Sequence, residues 1–250
     1  MDGHLRLYST TAAAASSKSA SVSQTADINA GPLQSWAVAM NPAGTRVATI
    51  SHRGTLSVYS TGHTSDSGDN ANSAAIPSGA GAGAVVLSAS TGESCLAFSL
   101  SYSPNGELIA AGFADGTVAV LSAATGVARW SRSLHAKPVR AVAWAPDSAS
   151  VVTGSDDGTV RVTAAADGAA LGGLEGHQSW VLAAAVSADG ARVATACADR
   201  KVRVFDLASR ALRAAVEAHT GKVWAVAFSP DGAKVASGAD DGSLCISSCE

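Results

Sequence analysis

Three sets of residues in this chain recur at a spacing of 42 positions. The first set is the histidines, which stand at His135, His177 and His219. The second set occupies a turn position, at Gly116, Gly158, Arg200 and Gly242. The third set ends an apolar run, at Pro104, Pro146, Ala188 and Pro230. Since three markers share one period, the chain is built from tandem copies of one unit, and this repeat limits the folds open to it.

The unit contains short strands. Residues 222–247, KVWAVAFSPDGAKVASGADDGSLCIS, predict three strands separated by a Ser-Pro-Asp-Gly turn and an Asp-Asp-Gly turn. Such a unit cannot bury both faces of its sheet alone, so neighbouring units must stack. A period of this length made of strands is typical of a β-propeller, whose small sheets, the blades, surround an axis. The sequence therefore predicts an all-β propeller as a single domain over residues 1–250.

Two low-complexity segments interrupt the period. Residues 10–25 are rich in Ala and Ser, and residues 62–83 are rich in Gly, Ser, Ala and Asn, so both are expected to be surface insertions. Residues 2–9, DGHLRLYS, match the third strand of a unit, which gives five first strands but six third strands. Two arrangements remain open: a five-bladed ring with a redundant strand, or part of a longer propeller. The second is favoured, because a sheet face without a neighbour would be exposed. Met1 is then either a misassigned start or the start of a genuine short form.

Composition and motifs exclude several classes of function. A formal net charge of −3 gives no case for nucleic-acid or acidic-membrane binding, and no apolar run is long enough for a membrane span. The four cysteines, Cys95, Cys197, Cys245 and Cys249, lack metal-site spacing and are expected to be buried free thiols of a reducing compartment. The GAGAG run of residues 79–83 lacks the lysine of a phosphate-binding loop. We therefore expect no enzyme, cofactor, metal site or small-molecule substrate.

Carboxylates and histidines recur with the repeat and are interpreted as structural. Asp156-Asp157 and Asp240-Asp241 each precede a glycine at the same repeat position, which is typical of turns. The predicted structural His/Asp pairs are His135 with Asp157, His177 with Asp199, and His219 with Asp241. A catalytic role is disfavoured because chemistry rarely recurs in every repeat, whereas a structural clamp must.

Candidate binding residues cluster where the first strand of each unit begins. In a propeller these positions lie on the rim with the inter-blade loops, and loops carry recognition. Trp, Tyr and Arg dominate binding hot spots. The residues assigned to partner binding are Trp36, Phe98, Arg140, Trp180, Lys222 and Trp224. Burial between blades is the alternative for Trp36 and Trp224, while Trp130 and Trp144 are expected to pack inside.

The chain resembles WD-repeat proteins through Gly176-His177, Asp199 and the third strand KVRVFD. It is most similar to the WD-repeat subunit of the superkiller complex, which also occurs in the polymerase-associated factor complex, through INAGPLQSWAVAMNP, SYSPNGELIAAGFADGTVAV, LEGHQSWVLAAAVSADG and CISSCE. The resemblance implies a seven-bladed ring, of which about five to six blades are present here. It also implies a hydrogen-bonded tetrad of Asp, His, Ser/Thr and Trp, in which Phe205 replaces the tryptophan and removes its N–H donor.

The function implied by this resemblance is a non-catalytic scaffold of both nucleus and cytoplasm. Its protein partners would be the superkiller helicase and tetratricopeptide-repeat subunits in exosome-linked 3′–5′ mRNA decay, or elongation-complex subunits in transcription elongation and histone modification. RNA contact would belong to the partners. The alternatives are a substrate receptor of a ubiquitin ligase and, less favoured, a propeller hydrolase, which would need acids or metal ligands at central positions that here hold Ala, Val and Trp.

Overall fold

The computed structural model describes residues 4–11, 21–29, 37–62, 82–92 and 95–249, and every regular element within them is a β-strand. Accordingly, this part of the chain has no helix of the length and apolar character needed to cross a membrane. The strands form six antiparallel sheets, in agreement with the predicted all-β propeller of five to six blades.

The first three sheets contain ten strands. The first sheet consists of β1 (His4–Thr11) and β2 (Ser21–Asn29). The second sheet consists of β3 (Val38–Met40), β4 (Arg46–Ile50), β5 (Thr55–Ser60) and β6 (Val85–Ser90). The third sheet consists of β7 (Ala97–Tyr102), β8 (Leu108–Phe113), β9 (Thr117–Ser122) and β10 (Ala128–Ser133).

The last three sheets contain eleven strands. The fourth consists of β11 (Val139–Trp144), β12 (Ser150–Ser155), β13 (Val160–Ala164) and β14 (Ala170–Leu174). The fifth consists of β15 (Val181–Val186), β16 (Arg192–Cys197), β17 (Val202–Asp206) and β18 (Leu212–Val216). The sixth consists of β19 (Val223–Phe228), β20 (Lys234–Ala239) and β21 (Leu244–Ser248).

The structure corrects the bounds of the first insertion. Strand β1 continues to Thr11 and β2 already begins at Ser21, so both ends of the predicted segment 10–25 are paired strand. Alanine and serine have no strong strand preference, so the composition of this segment does not predict where the strands end. The ends are set by the hydrogen-bonded pairing of β1 with β2. Of the second insertion, residues 63–81 lie outside the described ranges, while Ser60 donates its backbone N–H to Ala84 and receives that of Gly83 across the gap. The cysteine prediction is right for Cys197 and Cys249, which are buried, but Cys95 and Cys245 are only half-buried.

The core lies between sheets, and the third strand of each sheet supplies a central pair of apolar side chains. These pairs are at most 2% exposed in the second to fifth sheets, at Leu56/Val58, Val118/Val120, Val160/Val162 and Val202/Val204. Each pair belongs to a cluster shared with the first strand of the following sheet. Alternation along β9, for example, directs Val118 and Val120 towards Val139, Val142 and Trp144 of β11. Stacking of sheets is therefore what buries the repeat.

Glycines let adjacent sheets approach closely. A Cβ atom on Gly112 would lie 2.6 Å from Val139 Cγ1, and one on Gly154 would lie 2.5 Å from Val181 Cγ1. Both glycines occupy the same position of the second strand, and both valines begin the next first strand. A methyl group there would overlap the neighbouring sheet, so the absence of a side chain makes the contact possible.

Two tryptophans bond one sheet to its neighbour. The indole of Trp130 donates from Nε1 to the backbone oxygen of Ala165 at 2.9 Å, and that of Trp144 donates to Ser101 at 3.0 Å. Both side chains are buried, as the sequence predicted. An indole in the core thus contributes apolar area while its N–H group stays satisfied.

The described sheets do not close into a ring, and two faces lack a neighbour. In the sixth sheet the third-strand pair is Leu244 and Ile246, whose exposed fractions are 73% and 66%. On β3 of the second sheet, Val38 and Met40 are 55% and 54% exposed. The positions equivalent to Met40 in the next two sheets, Tyr102 and Trp144, are each 7% exposed. The stack therefore ends in two uncovered apolar faces.

Candidate functional site

The three predicted His/Asp pairs lie at the ends of the fourth, fifth and sixth sheets, where one sheet passes to the next. In each, the histidine precedes the first strand, and Nε2 hydrogen-bonds to a hydroxyl of the second strand. The partners are Thr153 for His135 at 2.9 Å, Thr195 for His177 at 2.8 Å and Ser237 for His219 at 2.7 Å. The histidine thus ties the loop that enters a sheet to the middle of that sheet.

In the fourth sheet His135 bonds through both ring nitrogens. Its Nδ1 lies 2.9 Å from Thr159 Oγ1 and 3.3 Å from Asp157 Oδ2. The hydroxyl of Thr159 donates its proton to Asp157 at 2.6 Å, so in its contact with His135 the hydroxyl oxygen accepts a hydrogen bond from Nδ1–H. Asp157 also accepts the backbone N–H of Ala136. Burial lowers the pKa of His135 and keeps the ring neutral, with Nδ1 as its donor.

The sixth sheet repeats this network with serines. His219 Nδ1 lies 2.9 Å from Ser243 Oγ and 3.5 Å from Asp241 Oδ2, and Ser243 donates to Asp241 at 2.6 Å. Bonds from Ser243 and from the backbone N–H of Thr220 hold the pKa of Asp241 well below its usual range. The carboxylate therefore stays charged and binds the backbone of the entering loop.

The fifth sheet departs from this arrangement. The hydroxyl position of Thr159 and Ser243 is taken by Lys201, and buried His177 Nδ1 has no hydrogen-bond partner. Asp199 is paired instead with Arg203 at 2.8 Å and accepts the backbone N–H of Gln178 at 3.2 Å. The structure thus does not join His177 to Asp199 by an ion pair. Arg203 takes the carboxylate in place of the histidine, and both side chains of this ion pair are nearly buried.

Burial and the Arg203 charge lower the pKa of His177 to about 4. Its ring also contacts Phe205, with centroids 5.7 Å apart. Phenylalanine stands where the resemblance expects a tryptophan, and it supplies ring contact without a donor. These groups are connected to backbone and core, which is the geometry of a structural clamp.

Of the six residues predicted to bind partners, four form one continuous row across four sheets. Phe98 lies on β7 and Arg140 on β11, and the guanidinium carbon of Arg140 lies 4.8 Å from the centroid of the Phe98 ring. The same carbon lies 5.9 Å from the ring of Trp180, which precedes β15. Lys222, which precedes β19, places its ammonium nitrogen 5.2 Å from the centroid of the same Trp180 ring. Phe98, Arg140, Trp180 and Lys222 are called the aromatic–cation row.

The row is positioned by the register of the first strands. Phe98 and Arg140 occupy one repeat position, and Trp180 and Lys222 occupy the position two residues earlier. The stagger of this pattern brings each cation to an aromatic ring of a neighbouring sheet, where the face of the ring attracts it. Trp180 remains 41% exposed and Lys222 is also exposed, so the row offers an indole and an ammonium group to a ligand.

A carboxylate stands behind the row. Arg140 donates from Nε to Asp156 Oδ1 at 2.7 Å, and this aspartate is buried. At the equivalent positions of the sixth sheet, Trp224 donates its indole N–H to Asp240 at 2.5 Å and is 48% exposed. The first residue of each Asp-Asp pair therefore orients a rim side chain, a role that the turn interpretation did not include. Applying the 42-residue step to Arg140 and Trp224 would have revealed it.

Trp36 lies outside the described residues, so its place relative to the row stays a prediction. Within the described ranges no group of three His, Cys, Asp or Glu side chains is arranged to hold a metal ion. The row has charge and aromatic surface but no nucleophile next to a base.

Comparisons with known proteins agree with the repeat. A family model described as "WD domain, G-beta repeat" matches residues 85–121, 129–163, 168–206 and 211–246, together more than half of the chain. Each matched unit runs from the outer strand of one sheet through the third strand of the next. A comparison with curated proteins found no match.

Proposed function

Because the chain belongs to the WD-repeat family, we propose that it is a non-catalytic scaffold that binds protein partners at the aromatic–cation row. WD-repeat domains generally mediate protein–protein interactions. The observation that carries the proposal is the exposed Trp180 held between Arg140 and Lys222. A large indole exposed at the rim, supported on two sides, is the composition of a binding hot spot.

The charges of the row favour an acidic partner segment with an apolar or aromatic side chain. Arg140 is already paired with Asp156. Lys222 has no carboxylate partner among the described residues, and its ammonium group contacts the Trp180 ring. A carboxylate of the partner would pair with Lys222, while a neighbouring apolar side chain would cover the indole. Desolvation of the indole supplies affinity and the ion pair supplies register.

The proposed partners are the superkiller helicase and its tetratricopeptide-repeat subunit, or subunits of the polymerase-associated factor complex. The support is the order of the sequence phrases shared with the WD-repeat subunit common to those assemblies. The scaffold would serve mRNA decay in the cytoplasm and transcription elongation in the nucleus. Its net charge of −3 leaves RNA contact to the partners.

The deciding experiment is affinity purification of the tagged chain from its own cells, read by mass spectrometry. The helicase with the tetratricopeptide-repeat protein, or the elongation subunits, are expected among the recovered proteins. Recovery of cullin-adaptor subunits instead would assign the chain to ubiquitin ligation, and recovery of chaperones alone would contradict the scaffold.

The role of the row is tested by Trp180→Ala in the same purification. Because hot-spot residues contribute about 2 kcal/mol or more, recovery of the direct partner should fall more than about tenfold. Val127→Ala is the matched control, since Val127 is an exposed apolar residue in the connection between β9 and β10, at the end of the sheet opposite the row. Circular dichroism should show the same fold for both variants. Undiminished recovery with Trp180→Ala would remove the row from the interface.

A further inference from the structure

We propose that the outer edge of the fourth sheet takes up an extended peptide segment of a partner protein as a fifth strand, and that this segment carries an acidic and a basic side chain two residues apart. The edge belongs to β14. A groove beside it is lined by Leu134, Arg161, Gly173 and Glu175 among others, and is called the outer groove. The fourth sheet has a described neighbour on both sides, and the site is separate from the aromatic–cation row.

The outer groove exists because a glycine stands where neighbouring sheets have a side chain. Its volume is about 520 Å³. Gly173 of β14 is paired with Arg161 of β13, and Arg161 is exposed. The equivalent pairs in the third and fifth sheets are Ser131 with Ala119 and Ala215 with Arg203, and there the third-strand residues, Ala119 and Arg203, are buried. The fourth sheet therefore opens at a position that its neighbours keep closed.

Two charges of opposite sign line the outer groove. Arg161 lies opposite Gly173, and Glu175 follows Gly173 by two residues, so alternation directs both charged side chains to the same face. Both residues are exposed. Within the described ranges neither takes part in an ion pair. The groove thus presents one guanidinium and one carboxylate group to a ligand.

The edge of β14 is open to backbone pairing. It is the last strand of its sheet, and no described strand pairs with its outer side. Proteins commonly protect such an edge with charged side chains. The outer strand of the third sheet, β10, carries Arg129 and Arg132, whereas β14, ALGGL, carries no charge. The backbone oxygen of Leu171 accepts from Arg210 Nη2 at 3.4 Å, so the accessible part of the edge is residues 172–174.

An extended peptide fits the edge and the groove together. When such a strand pairs with β14, its residue beside Gly173 projects over the glycine, where no side chain separates it from Arg161. The residue two positions away projects beside Glu175. A glutamate at the first position and a lysine or arginine at the second would pair with these two charges and fix the register. The peptide backbone would supply hydrogen bonds along the edge.

The segments of this chain outside the described ranges do not offer this pair of charges. Lys18 is the only Lys or Arg among them, and residues 12–20 around it contain no acidic residue. Residues 63–81 contain Asp66 and Asp69 but no Lys or Arg. The occupant that matches the outer groove is therefore a segment of a partner protein.

Binding of short synthetic peptides to the full chain, measured by fluorescence anisotropy of a terminal label, tests the proposal. The peptide SVEVKVS should bind the wild type, while SVQVQVS and SVKVKVS should bind at least about tenfold more weakly because they lack a carboxylate for Arg161. Arg161→Glu should reverse the preference and bind SVKVKVS instead. Arg161 is exposed, so this variant should keep its fold, checked by circular dichroism. Arg129→Glu, the same charge change at an exposed residue that does not line the groove, should bind like the wild type.

Backbone methylation tests the strand pairing itself. A strand bonds along one edge through alternate residues. Two forms of SVEVKVS, one N-methylated at its valines and the other at its glutamate and lysine, should therefore differ, and one of them should not bind. Equal affinities for these two forms, equal affinities for the three peptides, or no binding of any peptide to the wild type would each overturn the proposal. Trp180→Ala should bind SVEVKVS like the wild type, which separates this site from the aromatic–cation row.

Discussion

Three residues adopt a backbone conformation for which the repeat elsewhere uses glycine. Ser148, Arg200 and Arg210 have positive φ angles of 59°, 72° and 65°. Their equivalents in other units include Gly190, Gly158 and Gly168, whose φ angles are 70°, 80° and 70°. The turn geometry is therefore set by the repeat, and the three side chains are tolerated within it at an energetic cost.

Replacement of Arg200 by glycine is expected to stabilise the protein by about 0.5–1 kcal/mol, because glycine adopts this conformation without steric cost. The net gain is the strain energy that glycine relieves in the folded state, minus the larger conformational entropy that glycine loses when the chain folds. Urea unfolding measures it. The converse variant, Gly116→Ala, should lose stability, since its Cβ would lie 2.0 Å from the backbone oxygen of His135. No gain for Arg200→Gly would show that the arginine side chain makes a compensating contact.

His177 should make stability depend on mildly acidic pH. Its pKa is lowered to about 4 from an ordinary value of 6.5, so the unfolded chain binds a proton before the folded chain does. Stability is therefore lost as pH falls from about 6.5 to about 4, by an amount on the order of 3 kcal/mol. His177→Gln should reduce this loss in urea unfolding across that range. A remainder is expected from His135, whose pKa is also lowered; an unchanged pH dependence would exclude His177 as its source.

At the scale of elements, the third and fourth sheets approach their following neighbours through a glycine of the second strand, at a position that Ala196 occupies in the fifth sheet. A Cβ on Gly154 would overlap Val181 of the next sheet, whereas Gly238 is the same position with open space. Since cores resist overpacking, Gly154→Ala should cost about 2 kcal/mol. Gly238→Ala should be neutral or slightly stabilising. Thermal unfolding of both variants compares the two costs, and equal effects would mean that the spacing does not depend on this position.

The strands were predictable because the residues that indicate them are close in sequence. For the contacts between sheets, the sequence predicted which repeat positions meet but not the geometry of their side chains. The period of 42 residues and the Pro and Gly turns gave the three inner strands of each unit and the burial of Trp130 and Trp144. The hydroxyl partners of the histidine Nδ1 atoms, Thr159 and Ser243, follow the same period with Lys201 between them. Only the structure shows that His177 Nδ1 is then left without a hydrogen-bond partner. Likewise, alignment placed Phe98, Arg140, Trp180 and Lys222 together, while their alternation of ring and cation depends on the stagger between sheets.

At the scale of the whole molecule, stability is a sum over sheets and the interfaces between neighbours. The fourth sheet has a neighbour on both sides, since it shares clusters with the third and the fifth. The sixth has one covered face and one uncovered face. Among the described residues the sixth sheet therefore has one interface fewer than the fourth and contributes less to this sum.

The two exposed indoles of the described chain have surroundings of opposite charge, which gives each a different optical signature. Trp180 lies beside the ammonium group of Lys222 and the guanidinium group of Arg140, while Trp224 donates to the carboxylate of Asp240. Iodide, an anionic quencher of fluorescence, should be concentrated around Trp180, and caesium, a cationic quencher, around Trp224. Quenching by iodide would thus report on Trp180 and quenching by caesium on Trp224, in the native protein and without any label.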